Sequence, residues 1–156
     1  MTETSNCQMC QFADGSAPVP GGVVYADDLW LLRSISSTPA IAGWLILQAR
    51  RHVAEPADLN DAEAASFGPT LSRLEKILRE VTGAVRIYTA SLNEGNPHFH
   101  CHLLPRLPSM PNNALGFQAF ALSDLARKGE VRANPDEVAR VLAAVREQAQ
   151  NRALTP

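Results

Sequence analysis

The chain has 156 residues, a net charge of −2, 46% hydrophobic residues and 19% charged residues. This composition excludes an intrinsically disordered chain and is typical of a globular domain. No segment contains the roughly 18 consecutive apolar residues that a membrane helix needs, and the balanced charge excludes a strongly basic surface for nucleic acid. We therefore expect residues 1–156 to form a single domain that has neither a membrane nor a nucleic acid as its partner.

The N-terminal residues and the cysteines indicate a cellular location. Residues 1–6 are polar and lead into no apolar stretch of signal-peptide length. The three cysteines are an odd number and lack the repeated spacing of a secreted disulfide framework. We therefore expect a cytoplasmic protein whose reduced thiols are free to bind a metal.

The first predicted elements are three strands. Two apolar runs within residues 23–33 are separated by Asp27 and Asp28, and such a break predicts a β-hairpin. The continuous apolar run at residues 43–47 predicts a buried central strand. A basic pair and then His52 follow at the end of this strand.

A long helix is predicted next. Asn60, followed three residues later by Glu63, is typical of a capping box. Pro69 lies two turns further on, so we expect a kink there rather than an end, and Gly83 is expected to close the helix. The apolar positions recur in steps of three and four, as on one face of a helix: Ala64, Phe67, Leu71, Leu74, Leu78 and Val81.

The second half of the chain predicts a further hairpin and a last helix. Residues 84–92 and 98–104 are rich in strand formers and are separated by turn residues, which predicts an antiparallel pair. Residues 105–113 predict an irregular, proline-rich excursion from the sheet. Asn134 and Pro135 are typical of a helix start. The order of elements indicates an α+β fold: an antiparallel sheet with the long helix packed on one face, and a C-terminal helix.

Three of the four histidines occupy alternate positions. Because alternate residues of a strand share a face, His98, His100 and His102 are expected to project together. The residues between them are apolar or thiol and suit a buried core. Such a row could bind a metal, or it could supply a nucleophile for a phosphate together with flanking proton donors.

A second group of polar residues is the pair Cys7 and Cys10. A single C-x-x-C motif fits either a redox pair or half of a zinc site. We expect this motif in an irregular N-terminal segment rather than between a strand and a helix, which favours zinc. Zinc takes four ligands, and His52 with one member of the triplet would complete a Cys₂His₂ set.

The segment His98-Phe99-His100-Cys101-His102-Leu103-Leu104 resembles the signature of the histidine triad (HIT) family, in which histidines alternate with apolar residues and two apolar residues follow. The resemblance covers residues 7–106, which we take as the core motif region, and residues 107–156 add a C-terminal extension with a helix. The other matching segments are Cys7-x-x-Cys10, Tyr25-Ala26-Asp27-Asp28, the run at residues 45–52, Asn93-Glu94-Gly95 and Pro105-Arg106.

The resemblance implies an activity. HIT proteins hydrolyse or transfer nucleotides by cleavage at an α-phosphate, and the middle histidine, here His100, transiently carries the nucleoside monophosphate. His102 would contact the phosphate and help the leaving group, Asn93 would hold phosphate or ribose oxygens, and Ile35 would pack on the base. The expected substrates are nucleoside phosphoramidates, dinucleoside polyphosphates or related AMP esters, and the expected assembly is a homodimer.

The resemblance also implies a metal site. In zinc-containing bacterial relatives the metal is bound by the C-x-x-C pair, by the histidine after the basic residues and by the first triad histidine. Carried over, the ligands are Cys7, Cys10, His52 and His98. The implied cofactor is a structural Zn²⁺ with a closed tetrahedral shell, and His98 would also orient the strand that carries His100.

Two departures from the family pattern keep alternatives open. The loop between Asn93 and His98 is short and lacks the serine or glutamine that donates to the leaving group in many members. Ser34 occupies the position where relatives often have an aspartate for the ribose. One alternative is therefore a catalytically weak nucleotide-binding or zinc-stabilised interaction module. Another is a metalloenzyme in which all three triad histidines, His102 included, bind the metal.

Overall fold

The computed structural model describes residues 6–153, with side chains to residue 151, so most of the polar segment predicted at residues 1–6 lies outside the described residues. The described part forms one five-stranded sheet and four α-helices. The strands are β1 (Val23–Ala26), β2 (Trp30–Ser34), β3 (Leu45–Ala49), β4 (Arg86–Ala90) and β5 (His100–Arg106), and the helices are α1 (Gln8–Asp14), α2 (Asp61–Thr82), α3 (Leu122–Arg127) and α4 (Pro135–Ala153).

The sheet is antiparallel throughout, in the order β1-β2-β3-β5-β4. The predicted first hairpin is confirmed, because Asp27 Oδ1 accepts hydrogen bonds from the backbone N–H groups of Leu29 and Trp30 and closes the turn. The third strand begins at Leu45, two residues later than predicted. Gly43 has φ +86°, a left-handed conformation that a strand does not use.

Helix α2 begins and ends where the sequence predicts. The side chain of Asn60 accepts from the backbone N–H of Glu63, and the side chain of Glu63 accepts from the backbone N–H of Asn60. The helix continues through Pro69 and ends at Gly83, which has φ +67°. Its fully buried apolar residues are Leu74, Ile77 and Leu78, whereas Ala64, predicted on the apolar face, is exposed.

The two faces of the sheet differ in chemistry. One face is apolar and packs against α2 and α4 through residues that include Leu32, Leu47 and Leu103. The opposite face carries His100 and His102 and is covered by α1 and by residues 107–131. We call it the histidine face. The α+β architecture expected from the sequence is therefore confirmed.

Strand β5 differs from the prediction at both ends. It begins at His100 rather than His98, and it continues through Pro105 and Arg106, which were expected to leave the sheet. Pro105 is tolerated because β3 pairs with β5 only from His100 to Leu103, so the strand has a single neighbour, β4, at this end. A residue without an N–H is found at such an unpaired edge.

The helical segments that were not predicted are a 3₁₀ turn at Pro56–Asp58, helix α1 and residues 107–131. The C-x-x-C motif lies at the start of α1, a seven-residue helix too short to show a periodic pattern, and not in an irregular segment. Residues 107–131 form two 3₁₀ turns, Asn112–Ala114 and Gly116–Ala121, followed by α3.

None of the helices in residues 6–153 combines the length and the apolar character needed to cross a bilayer.

Candidate metal centre and active site

Helix α1 positions the two cysteines. Cys7 is the N-cap residue and Cys10 lies one turn further, so both thiols project from the same side of the helix. The side-chain amide of Gln48 in β3 donates to the carbonyl of Met9 at 2.8 Å and fixes α1 against the sheet. Met9 and Phe12 are buried beneath the helix.

The cysteines meet two histidines. Cys7 Sγ lies 3.3 Å from His98 Nδ1, and Cys10 Sγ lies 3.3 Å from His52 Nδ1 and 3.5 Å from His98 Nδ1. All four donor atoms lie within 4.8 Å of one another. The structure thus brings together the complete ligand set that the resemblance implied.

The tautomer of His98 is set by the backbone. Its Nε2 lies 2.7 Å from the carbonyl oxygen of Ala49, and because a carbonyl only accepts, Nε2 carries the proton. The lone pair is therefore on Nδ1, the atom that faces the two thiols. A backbone hydrogen bond to the far nitrogen is the usual support of a metal-binding histidine.

These donors fit a tetrahedral metal. With Zn–S bonds of about 2.3 Å and Zn–N bonds of about 2.0 Å, neighbouring ligand atoms are roughly 3.5 Å apart, which agrees with the measured separations. Burial, together with the neighbouring side chains of Cys7 and Asp14, raises the pKa of Cys10 to about 11. Two adjacent thiolates therefore require a cation. The donor set and its spacing support a structural zinc site.

The triad is divided between two centres. Among the residues that the structure describes, the one cluster of potential metal ligands contains His98 but neither His100 nor His102. The ring of His98 faces the cysteines, whereas the rings of His100 and His102 lie side by side on the histidine face with centroids 5.5 Å apart. The alternative in which all three triad histidines bind one metal is not supported.

His100 is 7% exposed and is held in one tautomer. Its Nδ1 lies 2.7 Å from the carbonyl oxygen of His98, so Nδ1 carries the proton and Nε2 carries the lone pair. Burial lowers the pKa of His100, which keeps the ring neutral. A neutral imidazole with a free Nε2 lone pair has the form that a nucleophile requires.

Asn93 lies beside the backbone of His100. Its side-chain oxygen accepts from the backbone N–H of His100 at 3.3 Å, and its amide donates to Ser91 at 2.8 Å. Asn93 has φ +50°, a conformation that asparagine tolerates better than most residues. The residue predicted to bind substrate thus also holds the start of β5.

His102 lies among aromatic rings. Its Nδ1 is 3.2 Å from the indole Nε1 of Trp44, and its ring centroid is 6.0 Å from those of Trp44 and Phe120. Burial, with smaller contributions from the neighbouring His100 and from the cation of Arg33, lowers its pKa to about 4. The ring of His102 is therefore neutral at physiological pH.

Arg33 is a site residue that the sequence analysis missed. It pairs with Ile46, which pairs with His102, so the three share the histidine face. Its side chain is 4% exposed and donates to Gln48 and to the carbonyl of Ser34, while burial lowers its pKa to about 10. No ion pair among the described residues includes Arg33. The signal that could have identified Arg33 was its position as a charged residue within a strand that is buried along its whole length.

Ile35 lines a cavity of about 260 Å³ at the edge of the histidine face. Trp44 forms part of the same wall, and α3 contributes Ala126 and Arg127 on the opposite side. Ser34, at the position of the family aspartate, donates instead to the carbonyl of Ser36 at 2.7 Å. The apolar character of this wall suits a flat ring.

The short loop before the triad lies beside the metal cluster. The carbonyl of Asn96 accepts from the backbone N–H of His98 at 2.7 Å, and its side-chain oxygen is 4.0 Å from Cys7 Sγ. Asn96 thus supports the position of a metal ligand.

The fold is similar to that of solved histidine triad proteins. A Zn-bound histidine triad family protein from Mycobacterium smegmatis has a TM-score of 0.68 and 20% sequence identity over 96% of this chain and 99% of that one. A hypothetical histidine triad nucleotide-binding protein from Sulfolobus tokodaii has a TM-score of 0.67 and 13% identity over 93% of each chain. A HIT family hydrolase from Legionella pneumophila has a TM-score of 0.53 and 25% identity over 68% of this chain and 98% of that one.

No protein-family model matches the chain, and no curated protein matches it in sequence. The class is therefore defined by structure: the chain has the histidine triad fold. The resemblance expected from the sequence is confirmed at the level of the fold.

Proposed function

We propose that the protein is a HIT-type hydrolase or transferase that cleaves nucleotides at the α-phosphate through a nucleotidyl intermediate on His100. One observation carries this proposal: Nδ1 of His100 donates to the carbonyl of His98, which leaves the lone pair on Nε2. Further support comes from the fold, which is shared with a HIT family hydrolase from Legionella pneumophila and with a nucleotide-binding relative from Sulfolobus tokodaii.

In the proposed first step, the Nε2 lone pair of His100 attacks the α-phosphorus. A nitrogen–phosphorus bond forms, and the bond to the leaving group breaks with its electron pair on the leaving atom, which is protonated. Water then attacks phosphorus and gives up a proton to solvent, an oxygen–phosphorus bond forms, the nitrogen–phosphorus bond breaks, and His100 recovers its lone pair. A neutral imidazole is nucleophilic at neutral pH, and its phosphorylated form is reactive enough to hydrolyse.

The residues around His100 suit a nucleotide. The guanidinium of Arg33 supplies a buried positive charge without a carboxylate partner among the described residues, so a phosphate on the histidine face would balance it. The base would pack against Ile35 in the cavity beside Trp44. Asn93 would approach a phosphate or ribose oxygen, in addition to its contact with His100.

The proposed zinc has a structural role. Cys7, Cys10, His52 and His98 would hold it, and when bound it supplies a rigid cross-link between α1 and the sheet. All four positions of its shell are protein atoms, so it has no open position for a substrate. Support comes from the donor set and from the Zn-bound relative of Mycobacterium smegmatis.

The remaining expectations are part of the same proposal. The active form would be a homodimer, as the resemblance implies, and it would be cytoplasmic, as the cysteine pattern indicates. The core motif region at residues 7–106 would carry the chemistry within one domain. Residues 107–156 would contribute to substrate binding, since α3 lines the cavity that contains Ile35.

The test is AMP release from an adenosine phosphoramidate and from diadenosine polyphosphates. We expect turnover by the wild type, none by His100→Ala, and an adenylylated histidine at position 100 in wild-type protein quenched with alkaline denaturant, because a nitrogen–phosphorus bond survives alkali but not acid. Equal rates for the two proteins would refute the enzymatic proposal. Tight AMP binding without turnover would instead favour the nucleotide-binding or zinc-stabilised interaction module.

A further inference from the structure

Trp44 contacts the last histidine of the triad through a hydrogen bond in which the indole can only be the donor. The indole Nε1 lies 3.2 Å from Nδ1 of His102. An indole N–H is a donor and never an acceptor, so Nδ1 of His102 carries a lone pair rather than a proton. The single ring proton of a neutral imidazole must then be on Nε2.

We infer that Trp44 is a positioning residue that holds His102 as the neutral Nε2–H tautomer, so that His102 acts on substrate as a hydrogen-bond donor and not as a proton donor. The function given to Nε2 depends on the proposed nucleotide chemistry. The tautomer itself depends only on the contact between the two side chains.

The indole is held rigidly enough for this role. Trp44 is 1% exposed and lies immediately before β3, where its carbonyl accepts from the backbone N–H of Ile35 at 3.1 Å. It packs in an apolar cluster with Leu104 and Ala119, and its ring meets that of Phe120 edge to face. An alternative indole orientation would require this cluster to repack.

The other groups around His102 oppose a second ring proton. The ring of His100 lies on the same strand with its centroid 5.5 Å away, and the guanidinium of Arg33 lies on the same face of β2. Phe120, from the covering segment, offers no charge. Protonation of Nδ1 would also replace the acceptor of the indole N–H with a second donor.

The Nε2–H tautomer of His102 bears on the leaving-group donor, which the short loop before the triad lacks. Nε2 of His102 has no hydrogen-bond partner among the described residues, so its N–H is available to a ligand. A fixed N–H stabilises charge that develops on a phosphoryl or leaving-group oxygen without giving up its proton. The proton that the leaving group takes would come from solvent.

The tautomer is tested by long-range ¹H–¹⁵N correlation spectra of the histidine rings in the zinc-loaded protein. We expect wild-type His102 to show a pyridine-type Nδ1 and a pyrrole-type Nε2 from about pH 8 down to pH 5.5. Trp44→Phe should yield a mixture of tautomers. If that variant does not fold, replacement of Trp44 by benzothienylalanine, which keeps the shape of indole but has no N–H, should give the same mixture.

A matched control is Trp30→Phe, which removes an indole N–H that donates to Ser66 in the apolar core, away from the histidine face. Its His102 should retain the wild-type tautomer. A wild-type spectrum with a proton on Nδ1, or an unchanged spectrum in the benzothienylalanine variant, would overturn the inference.

Kinetics then separate this inference from the proposed function. The kcat of the benzothienylalanine variant for AMP release should fall roughly 3- to 10-fold, with little change in KM. A decrease of this size corresponds to the loss of one hydrogen bond in the transition state. A wild-type protein without AMP release would refute the proposed function and leave the tautomer result valid. A mixture of His102 tautomers in the benzothienylalanine variant, together with an unchanged kcat, would refute the catalytic part of the inference.

Discussion

The backbone carbonyl of His98 accepts a hydrogen bond of 2.7 Å from Nδ1 of His100. The same residue presents its ring Nδ1 to Cys7 and Cys10. One residue therefore belongs to both centres: its side chain to the metal cluster and its main chain to the proposed nucleophile. Any displacement of His98 changes the orientation of His100 directly.

Removal of the metal ligands should reduce both stability and activity. The double variant Cys7→Ser, Cys10→Ser is expected to lose bound zinc and at least about 3 kcal/mol of unfolding free energy, a modest part of the roughly 10–16 kcal/mol that structural zinc contributes in zinc-finger peptides. Metal analysis measures the loss of zinc, and urea unfolding measures the loss of unfolding free energy. Full zinc occupancy in this variant would contradict the ligand set.

The third cysteine provides the control for this experiment. Cys101 is buried in the apolar face of the sheet, away from the metal cluster. Cys101→Ala should retain full zinc occupancy and lose only the smaller free energy of a shortened core side chain, about 1 kcal/mol. A loss of zinc from this variant would point to general unfolding as the cause.

The pH dependence of activity should show no break at the ordinary histidine pKa of about 6.5. Burial, with the charges of His100 and Arg33, lowers the pKa of His102 to about 4, so its neutral form persists as the pH falls toward that value. Burial also lowers the pKa of the nucleophile His100, so the single-turnover rate of AMP release should show no acid limb at the ordinary histidine pKa. An acid limb centred near pH 6.5 would contradict the assignment.

Arg33→Met provides a directional check on the same profile. Removal of the guanidinium charge should raise the pKa of His102 and shift the acid limb upward, while the shape of the side chain is largely kept. If Arg33 also binds the substrate phosphate, KM should rise in this variant. An acid limb that stays in place or moves downward would show that the charge of Arg33 does not lower the pKa of His102.

Gly43→Ala should be strongly destabilising. Gly43 has φ +86°, and an added Cβ would lie 3.0 Å from Thr82, 3.1 Å from Leu78 and 3.2 Å from Val141. Backbone strain and overpacking together predict a loss of about 2–4 kcal/mol in urea unfolding. Gly15→Ala is the control, since Gly15 has φ +82° with no atom near the added Cβ, and it should lose only about 1 kcal/mol.

Glu63→Gln should weaken the start of α2. Glu63 accepts from Arg51 at 2.6 Å and from the backbone N–H of Asn60 at 2.9 Å, and the hydrogen bonds of Arg51 lower its pKa. A loss of about 1–2 kcal/mol at pH 7 is expected. The exposed Glu147→Gln should change stability by less than about 0.5 kcal/mol.

The sign of the pH effect follows from the lowered pKa of Glu63. Its stabilisation is fully present above the unfolded carboxyl pKa of about 4.3 and is lost as the pH falls through the lower folded value. The difference between wild type and Glu63→Gln should therefore shrink between about pH 5 and pH 3. A constant difference over this range would show that the charge of Glu63 contributes nothing.

The sequence predicted the elements that depend on local chemistry. The capping box at Asn60 and the hairpin around Asp27 were found because each depends on a side chain that bonds its own backbone neighbours, and the helix end at Gly83 was found because glycine tolerates the left-handed conformation there. The residues of the metal cluster were expected as well: the two cysteines and the small number of histidines indicated a Cys₂His₂ set, and the family resemblance selected His98 from the triplet.

The features that were missed depend on tertiary packing. Helix α1 is short and is held by Gln48 and by the buried side chain of Phe12 rather than by helix propensity. The contact between Trp44 and His102 joins residues 58 positions apart, and no local pattern indicates it. Arg33 was overlooked because a buried cation contradicts the average preference of arginine for the surface.

The metal cluster also has a consequence for the topology of folding. Cys7 and His98 are 91 residues apart in the sequence, so a metal that binds both closes a loop around four of the five strands. Cross-linking a loop of this size removes roughly 4–5 kcal/mol of chain entropy from the unfolded ensemble. In a reducing compartment, zinc would thus perform the task that a disulfide performs in a secreted domain, and refolding with zinc present would bring β5 to β3 as a nearly local contact.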